Sequence, residues 1–185
     1  ARMILLVCLL ALLLTLVAGG IYTAMIGEVL EEQLGRRALQ VSKTVAQIPL
    51  VRQMISRPPP QPQIQRLAEK IRLETGAEFI VIGNQDSIRF SHPFPDRIGK
   101  PMVGGDNAPA LERGEAYVSH AVGTLGPSIR GKAPIFADDG SVIGIVSVGY
   151  LIEDVDNLIH TQQARVGLQV VVLLLIGMAG AISIS

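Results

Sequence analysis

The chain has 185 residues, of which 49% are hydrophobic and only 17% charged, and its 16 basic and 16 acidic side chains cancel. That balance excludes the basic electrostatic footprint of a nucleic-acid binder, and the apolar excess excludes an average soluble domain. The lone cysteine, Cys8, excludes a disulfide within the chain; lying in an apolar run, it reads as a small hydrophobe.

The apolar excess sits at the two ends. Ile4–Ile26 and Val166–Ser185 carry no charged side chain, and about 20 apolar residues cross a hydrocarbon core of roughly 30 Å. Residues 3–26 are expected to form a first transmembrane helix. It reads as uncleaved, because the run exceeds a signal-peptide core and continues unbroken into a helical pattern. Residues 164–185 are expected to form a second span. Between them, residues 27–163 have the size of one domain and hold every charged residue except Arg2 and Arg165. Two spans put both ends of the chain on one side of a membrane. The stop directly after the second span predicts a fragment whose output part is missing.

Within the domain, apolar residues three and four apart from Val29 to Ile48 predict a long helix continuous with the first span. Pro49 should kink or restart it. Pro58–Pro62 is an extended break, and 63–75 is a second amphipathic helix stopped by Gly76. Residues 78–82 and 87–92 then read as a hairpin around Gly83–Asp86. After a glycine-rich loop over 96–105 come a short helix (108–113) and three strands: 116–122, 128–137 and 142–151. Asp138–Ser141 supplies the last hairpin turn. The expected class is α+β, a five-stranded antiparallel sheet with helices on one face.

In a strand at 128–137, Ser128, Arg130 and Lys132 share one face. An Arg fork and a Lys two residues apart suit a small polyanion, since Arg grips a carboxylate bidentately and Lys adds a point charge. On the last strand, Ile143, Ile145, Ser147 and Gly149 share a face that becomes small towards its end. This makes room for a ligand, although loose packing beneath a helix reads equally from the sequence. Arg89 and Ser91 share a face in the second strand. His92, held extended by Pro93, can swing round to join Arg89, or can be an ordinary buried hydrogen-bonding histidine.

No catalytic or metal site is read. Ser147 lacks local His and Asp partners, and His92, His120 and His160 lack metal-ligand spacing. Gly104-Gly105-Asp106 is too short a glycine signal for phosphate.

Five stretches taken together resemble a known family: Arg89-Phe-Ser-His-Pro93, Arg97-Ile-Gly-Lys-Pro-Met102, Gly123-Thr-Leu-Gly126, Arg130-Gly-Lys-Ala-Pro-Ile135 and Gly144-Ile-Val-Ser-Val-Gly-Tyr150. They are similar to the extracytoplasmic PAS domain of bacterial sensor histidine kinases for citrate and four-carbon dicarboxylates, the CitA–DcuS type, over residues 20–185. The resemblance implies a PAS-like sheet flanked by a long N-terminal helix, between two spans in the cytoplasmic membrane. It implies ligand contacts from Arg89, His92, Arg130 and Lys132, from Gly123, Thr124 and Leu125 in the turn, and from Ser147, with Met102 in a covering loop. One family position that can carry a hydroxyl is Val81 here. Lys132 stands where dicarboxylate sensors carry an aromatic, which implies citrate over a four-carbon dicarboxylate.

The expected function follows: a two-component sensor that binds citrate and passes a piston-like shift through the second span to a missing kinase part and a response regulator. The expected partners are citrate or a related carboxylate, membrane lipid and a second copy of the chain, with no cofactor and no enzymatic activity in this fragment. The rival readings are a dicarboxylate sensor of the same fold and a membrane-anchored enzyme acting on carboxylic acids.

Overall fold

A computed structural model describes residues 2–153, 167, 168 and 170–172. The rest of the predicted second span, and residues 154–163 before it, lie outside the described residues. The chain divides into two units; the one that carries the sheet is Glu31–Glu153, and the other takes in Ala1–Leu30.

Helix α1 (Arg2–Ala46) is unbroken for 45 residues. Among the described residues it is the one helix long and apolar enough to cross a membrane. It ends where Ile48 turns extended (ψ 124°) ahead of Pro49, and α2 (Pro49–Met54) restarts with that proline in its first turn, where a missing N–H costs nothing. Helix α3 (Pro62–Thr75) uses Pro62 in the same way and stops at Gly76, whose φ of 63° is a left-handed cap.

Strands β1 (Phe79–Asn84), β2 (Tyr117–Gly123), β3 (Gly126–Phe136) and β4 (Val142–Leu151) form one antiparallel sheet in the order β1-β4-β3-β2. A short helix, α4 (Ala108–Arg113), precedes β2 and packs on β3 and β4. The sheet therefore has four strands, not five.

The segment expected as a fifth strand, 87–92, makes only isolated bridges, Gly83 to Arg89 and Ile88 to Pro101. Its backbone explains why. The N–H groups of Phe90 and Ser91 both donate to the carbonyl of Ile82 (2.7 and 3.3 Å), so the register stalls. The Ser91 hydroxyl then replaces the next rung, accepting from Ile82 N–H at 2.8 Å and donating to Ile80 C=O at 3.0 Å. Pro93 has no N–H with which to continue. On its other edge the segment pairs with the loop: Arg89 N–H donates to Lys100 C=O, Gly99 N–H to Arg89 C=O, and Met102 N–H to Ser87 C=O. This tie anchors the loop beside the sheet.

The pleat divides the sheet into two faces. Ile80, Ile82, Ala133, Ile135, Val146 and Val148 pack with Ala38, Val45, Val51, Ile55, Ile64 and Ala68 from α1, α2 and α3 in one apolar core. Each fully buried Ile or Val there contributes about 1.5–3 kcal/mol. Helix α1 crosses the sheet at Gly131, where a Cβ would overlap the backbone of Ala38 and Leu39. The opposite face carries Phe79, Val81, Ser147, Arg130 and Lys132, with Val81 opposite Ser147 and Lys132 opposite Ser147 across the two neighbouring pairs. It is covered by what lies between β1 and β2.

Candidate ligand-binding site

Arg130 is the best-anchored cation on this face. Its Nε donates to Ser128 Oγ (2.8 Å), Nη2 to Ala121 C=O (3.1 Å), and Nη1 to Val103 C=O (3.4 Å) and Asp106 Oδ1 (3.3 Å). Its guanidinium lies over the Phe79 ring, 5.8 Å from the centroid, a distance suited to cation–π attraction. Glycines make this fit possible. A Cβ at Gly123 or Gly104 would overlap the guanidinium, and one at Gly149 would overlap the Phe79 ring beneath it.

Arg89 is only 4% exposed, yet its one side-chain hydrogen bond goes to the Thr124 hydroxyl, at 3.1 Å. Among the described residues it has no acidic partner within ion-pair distance. Burial, followed by the charge of Arg97, pushes its pKa down. Thr124 and Leu125 are the two loop residues of the tight β2–β3 hairpin closed by the Gly123–Gly126 pair.

His92 is fixed from three sides. The Gln65 side chain on α3 accepts from its N–H and donates to its C=O, both at 2.9 Å, and Phe94 N–H donates to Nδ1 at 2.9 Å. In the neutral ring this leaves the proton on Nε2. Burial, and then the neighbouring Arg89, lower its pKa from 6.5 to about 4.

Arg89, His92, Met102, Gly123, Thr124, Leu125, Arg130 and Ser147 line one cavity of about 30 Å³, together with Phe79, Val81, Val103 and Gly126. Eight of the nine residues singled out in the sequence thus meet at one place. The ninth, Lys132, does not line it. Fully buried, Lys132 directs its ammonium to Asp106 Oδ1 (2.9 Å) and Asn107 Oδ1. Burial lowers its pKa and Asp106 opposes that shift. Asp106 is itself disfavoured as an anion by burial, but the Ser119 hydroxyl (2.7 Å), Lys132 and Arg130 outweigh this and hold its carboxyl below the ordinary range.

Three buried cations, Arg89, Arg130 and Lys132, thus face a single paired carboxylate, Asp106. An excess of two positive charges away from water is costly unless an anion joins it. The arrangement offers charge-assisted donors converging on a small space, with no nucleophile–base pair. Among the described residues no group of His, Cys, Asp and Glu is placed to hold a metal. Sequence reasoning missed Asp106, Asn107, Ser119 and Gln65. Ser119 was findable, since β2 pairing puts it opposite Arg130; the other three are brought in only by the fold.

The Single cache domain 3 family model matches residues 26–164. A sensor protein CitS from Halalkalibacterium halodurans is 50% identical over 180 residues, covering 97% of this chain and 34% of that protein. A sensor histidine kinase CitA from Klebsiella pneumoniae is 37% identical over 149 residues, 80% of this chain and 27% of that one. The chain therefore spans about a third or less of the curated relatives it matches. The crystal structure of the E. coli DcuS sensor domain superposes with a TM-score of 0.65 at 35% identity, over 73% of this chain and 97% of that one. The PAS-like architecture is thus shared. The chain belongs to the Single cache domain 3 family and, within it, to the sensors of the CitA–DcuS type.

Proposed function

We propose that residues 27–163 are the extracytoplasmic sensor domain of a two-component sensor kinase, and that the domain binds citrate on the polar face of its sheet. The observation that carries this reading is Arg89. A buried guanidinium with four N–H groups beyond its bond to Thr124, and no carboxylate among the described residues, calls for an anionic partner from outside the chain. His92, Thr124 and Arg130 border the same cavity, so one carboxylate can be held by Arg89 and His92 and a second by Arg130. Lys132 supplies the partner for a third, which is what distinguishes citrate from a dicarboxylate.

In this reading the membrane spans are residues 3–26 and 164–185, the chain acts as a homodimer in the cytoplasmic membrane, and a kinase part beyond it addresses a response regulator. Ligand charge relieves repulsion among the converging cations, and the cavity of about 30 Å³ must widen to take it in. Ser147 places β4 at the ligand, and β4 is the last strand before the second span in sequence, so a shift of β4 is the natural output. The ligand moves that equilibrium only by its differential affinity for the two states.

A second reading, a four-carbon dicarboxylate sensor, draws support from Lys132. Held by Asp106 and Asn107, it lies off the cavity lining, and the remaining donors suffice for two carboxylates. A thermal-shift screen of carboxylates on the detergent-solubilised chain tests both. Citrate should give the largest rise in melting temperature, with malate and fumarate behind it. The reverse order selects the second reading, and no rise with any carboxylate overturns both. Citrate recovered unchanged by mass spectrometry after overnight incubation separates a sensor from an enzyme.

A further inference from the structure

We propose that Asp106 is an internal carboxylate that competes with the ligand for Lys132, and thereby sets how strongly the site favours a ligand with a third carboxylate. This rests on the carboxylate-sensor reading and adds a residue outside the donor set.

The geometry is that of a bound anion. Asp106 Oδ1 lies between the two cations, 2.9 Å from Lys132 Nζ and 3.3 Å from Arg130 Nη1, while Oδ2 accepts from Ser119 Oγ at 2.7 Å. One tethered carboxylate thus holds the Lys132 ammonium that a third ligand carboxylate would need. It arrives on a segment built for close approach. Gly104 and Gly105 have φ of 130° and 68°, and a Cβ at Gly104 would collide with Arg130 Nη1. Such values favour glycine, so the chain can turn sharply here and carry Asp106 against the two cations.

The same segment screens Lys132 from the cavity. Val103 lines the cavity and its carbonyl accepts from Arg130, whereas Lys132 lies behind, tied to Asp106 and Asn107. A ligand with two carboxylates can therefore engage Arg89, His92 and Arg130 while Asp106 stays in place. A third carboxylate gains full access to Lys132 by displacing Asp106, whose Oδ1 stands 2.9 Å from Nζ. Exchanging one carboxylate for another keeps the charge count, so the displacement carries a modest cost rather than that of a bare buried ammonium. If Asp106 occupies the pair in about nine-tenths of molecules, a displacing ligand binds about tenfold more weakly than it would otherwise.

The test is calorimetric titration of the full chain in detergent micelles with citrate and with succinate, for the parent, Asp106→Asn and Ser119→Ala. Asp106→Asn removes the competing charge and should tighten citrate about tenfold, with succinate changing less than about threefold. Ser119→Ala loosens the carboxylate without removing it and should shift the ratio the same way by less; it decides the matter if Asp106→Asn does not fold. A purely structural ion pair would leave the citrate-to-succinate ratio where it was or weaken both ligands, and either result overturns the inference while leaving the sensor reading intact. If neither the parent nor the variants bind either acid, the sensor reading falls and the inference with it.

Discussion

On one side of β3, Ile129, Gly131, Ala133 and Ile135 meet α1 and the apolar core; on the other, Ser128, Arg130 and Lys132 meet charge and hydroxyl groups. Alternate residues of one strand serve opposite purposes, and both faces are buried. The apolar face gains free energy from every side chain it covers. The polar face gains little, because burying cations costs several kcal/mol per ion and the pairing with Asp106 returns only part of it. A chain selected for stability alone would not keep Arg89 where it is. The difference teaches that the apolar face holds the fold, while the other face keeps an unbalanced positive charge, which the proposed anionic ligand would balance.

If the division is real, substitutions on the two faces should separate ligand affinity from stability. The largest effect is expected from Arg89→Ala, which should weaken citrate binding by about 2–5 kcal/mol, as for loss of a desolvated charge partner. Its unfolding free energy should move by less than about 1 kcal/mol, because the guanidinium gives up only the bond to Thr124. Calorimetry and denaturant melts read the two quantities; citrate affinity within about threefold of the parent would remove Arg89 from the site.

Gly131→Ala should do the opposite. The added methyl has no space against the backbone of Ala38 and Leu39, so α1 must lift from the sheet, at about 3 kcal/mol of stability. Chemical denaturation measures it. An unchanged midpoint would mean that α1 does not rest on β3 as closely as described. Lys132→Met keeps the buried stem and removes the charge. It should cost citrate about 1.5–3 kcal/mol more than succinate, the worth of one hydrogen bond to a charged group. Equal losses for the two acids would mean that Lys132 serves Asp106 alone.

The apolar face was the more legible in the sequence, because burial leaves a period. The alternation through 128–137 and 142–151 and the three-four spacing of α3 each mark an element, and Pro49 and Gly76 mark helix ends by their own backbone limits. The polar face was legible only where it lies on regular strands or in the hairpin at Thr124. Residues 87–92 alternate like a strand, but the Ser91 hydroxyl takes over a backbone rung and Pro93 ends the ladder, and no hydropathy pattern records either event. Asp106 sits in a glycine loop without periodicity; the partners of its carboxylate are 13 to 26 positions away in sequence and meet it only through the fold. Gly131 lies between the two cations that mark this stretch in the sequence, whereas its missing side chain matters to the helix on the other side.

The smallest predicted effect tests the polar face through protons. His92 has its pKa lowered from 6.5 to about 4 by burial and by Arg89. Arg97 acts in the same direction and Asp96 against it, and a proton added at Nδ1 would break the bond from Phe94 N–H. A base whose folded-state pKa lies below its unfolded value binds fewer protons folded than unfolded between the two values. Its contribution to stability is therefore complete above about pH 6.5 and is lost as pH falls towards 4, by roughly 1 kcal/mol at pH 5.5. Melting curves from pH 7.5 to 4.5 should show this slope in the parent and a shallower one in His92→Gln, which cannot titrate. Asp106, with a carboxyl held below the ordinary range, loses its ion pairs only at lower pH, so the two contributions separate along the pH axis. Saturating citrate should flatten the His92 slope as well, because an anion beside the ring offsets Arg89 and raises the folded-state pKa. Parallel slopes with and without citrate would place the ligand away from His92, and with it away from the Arg89 side of the sheet.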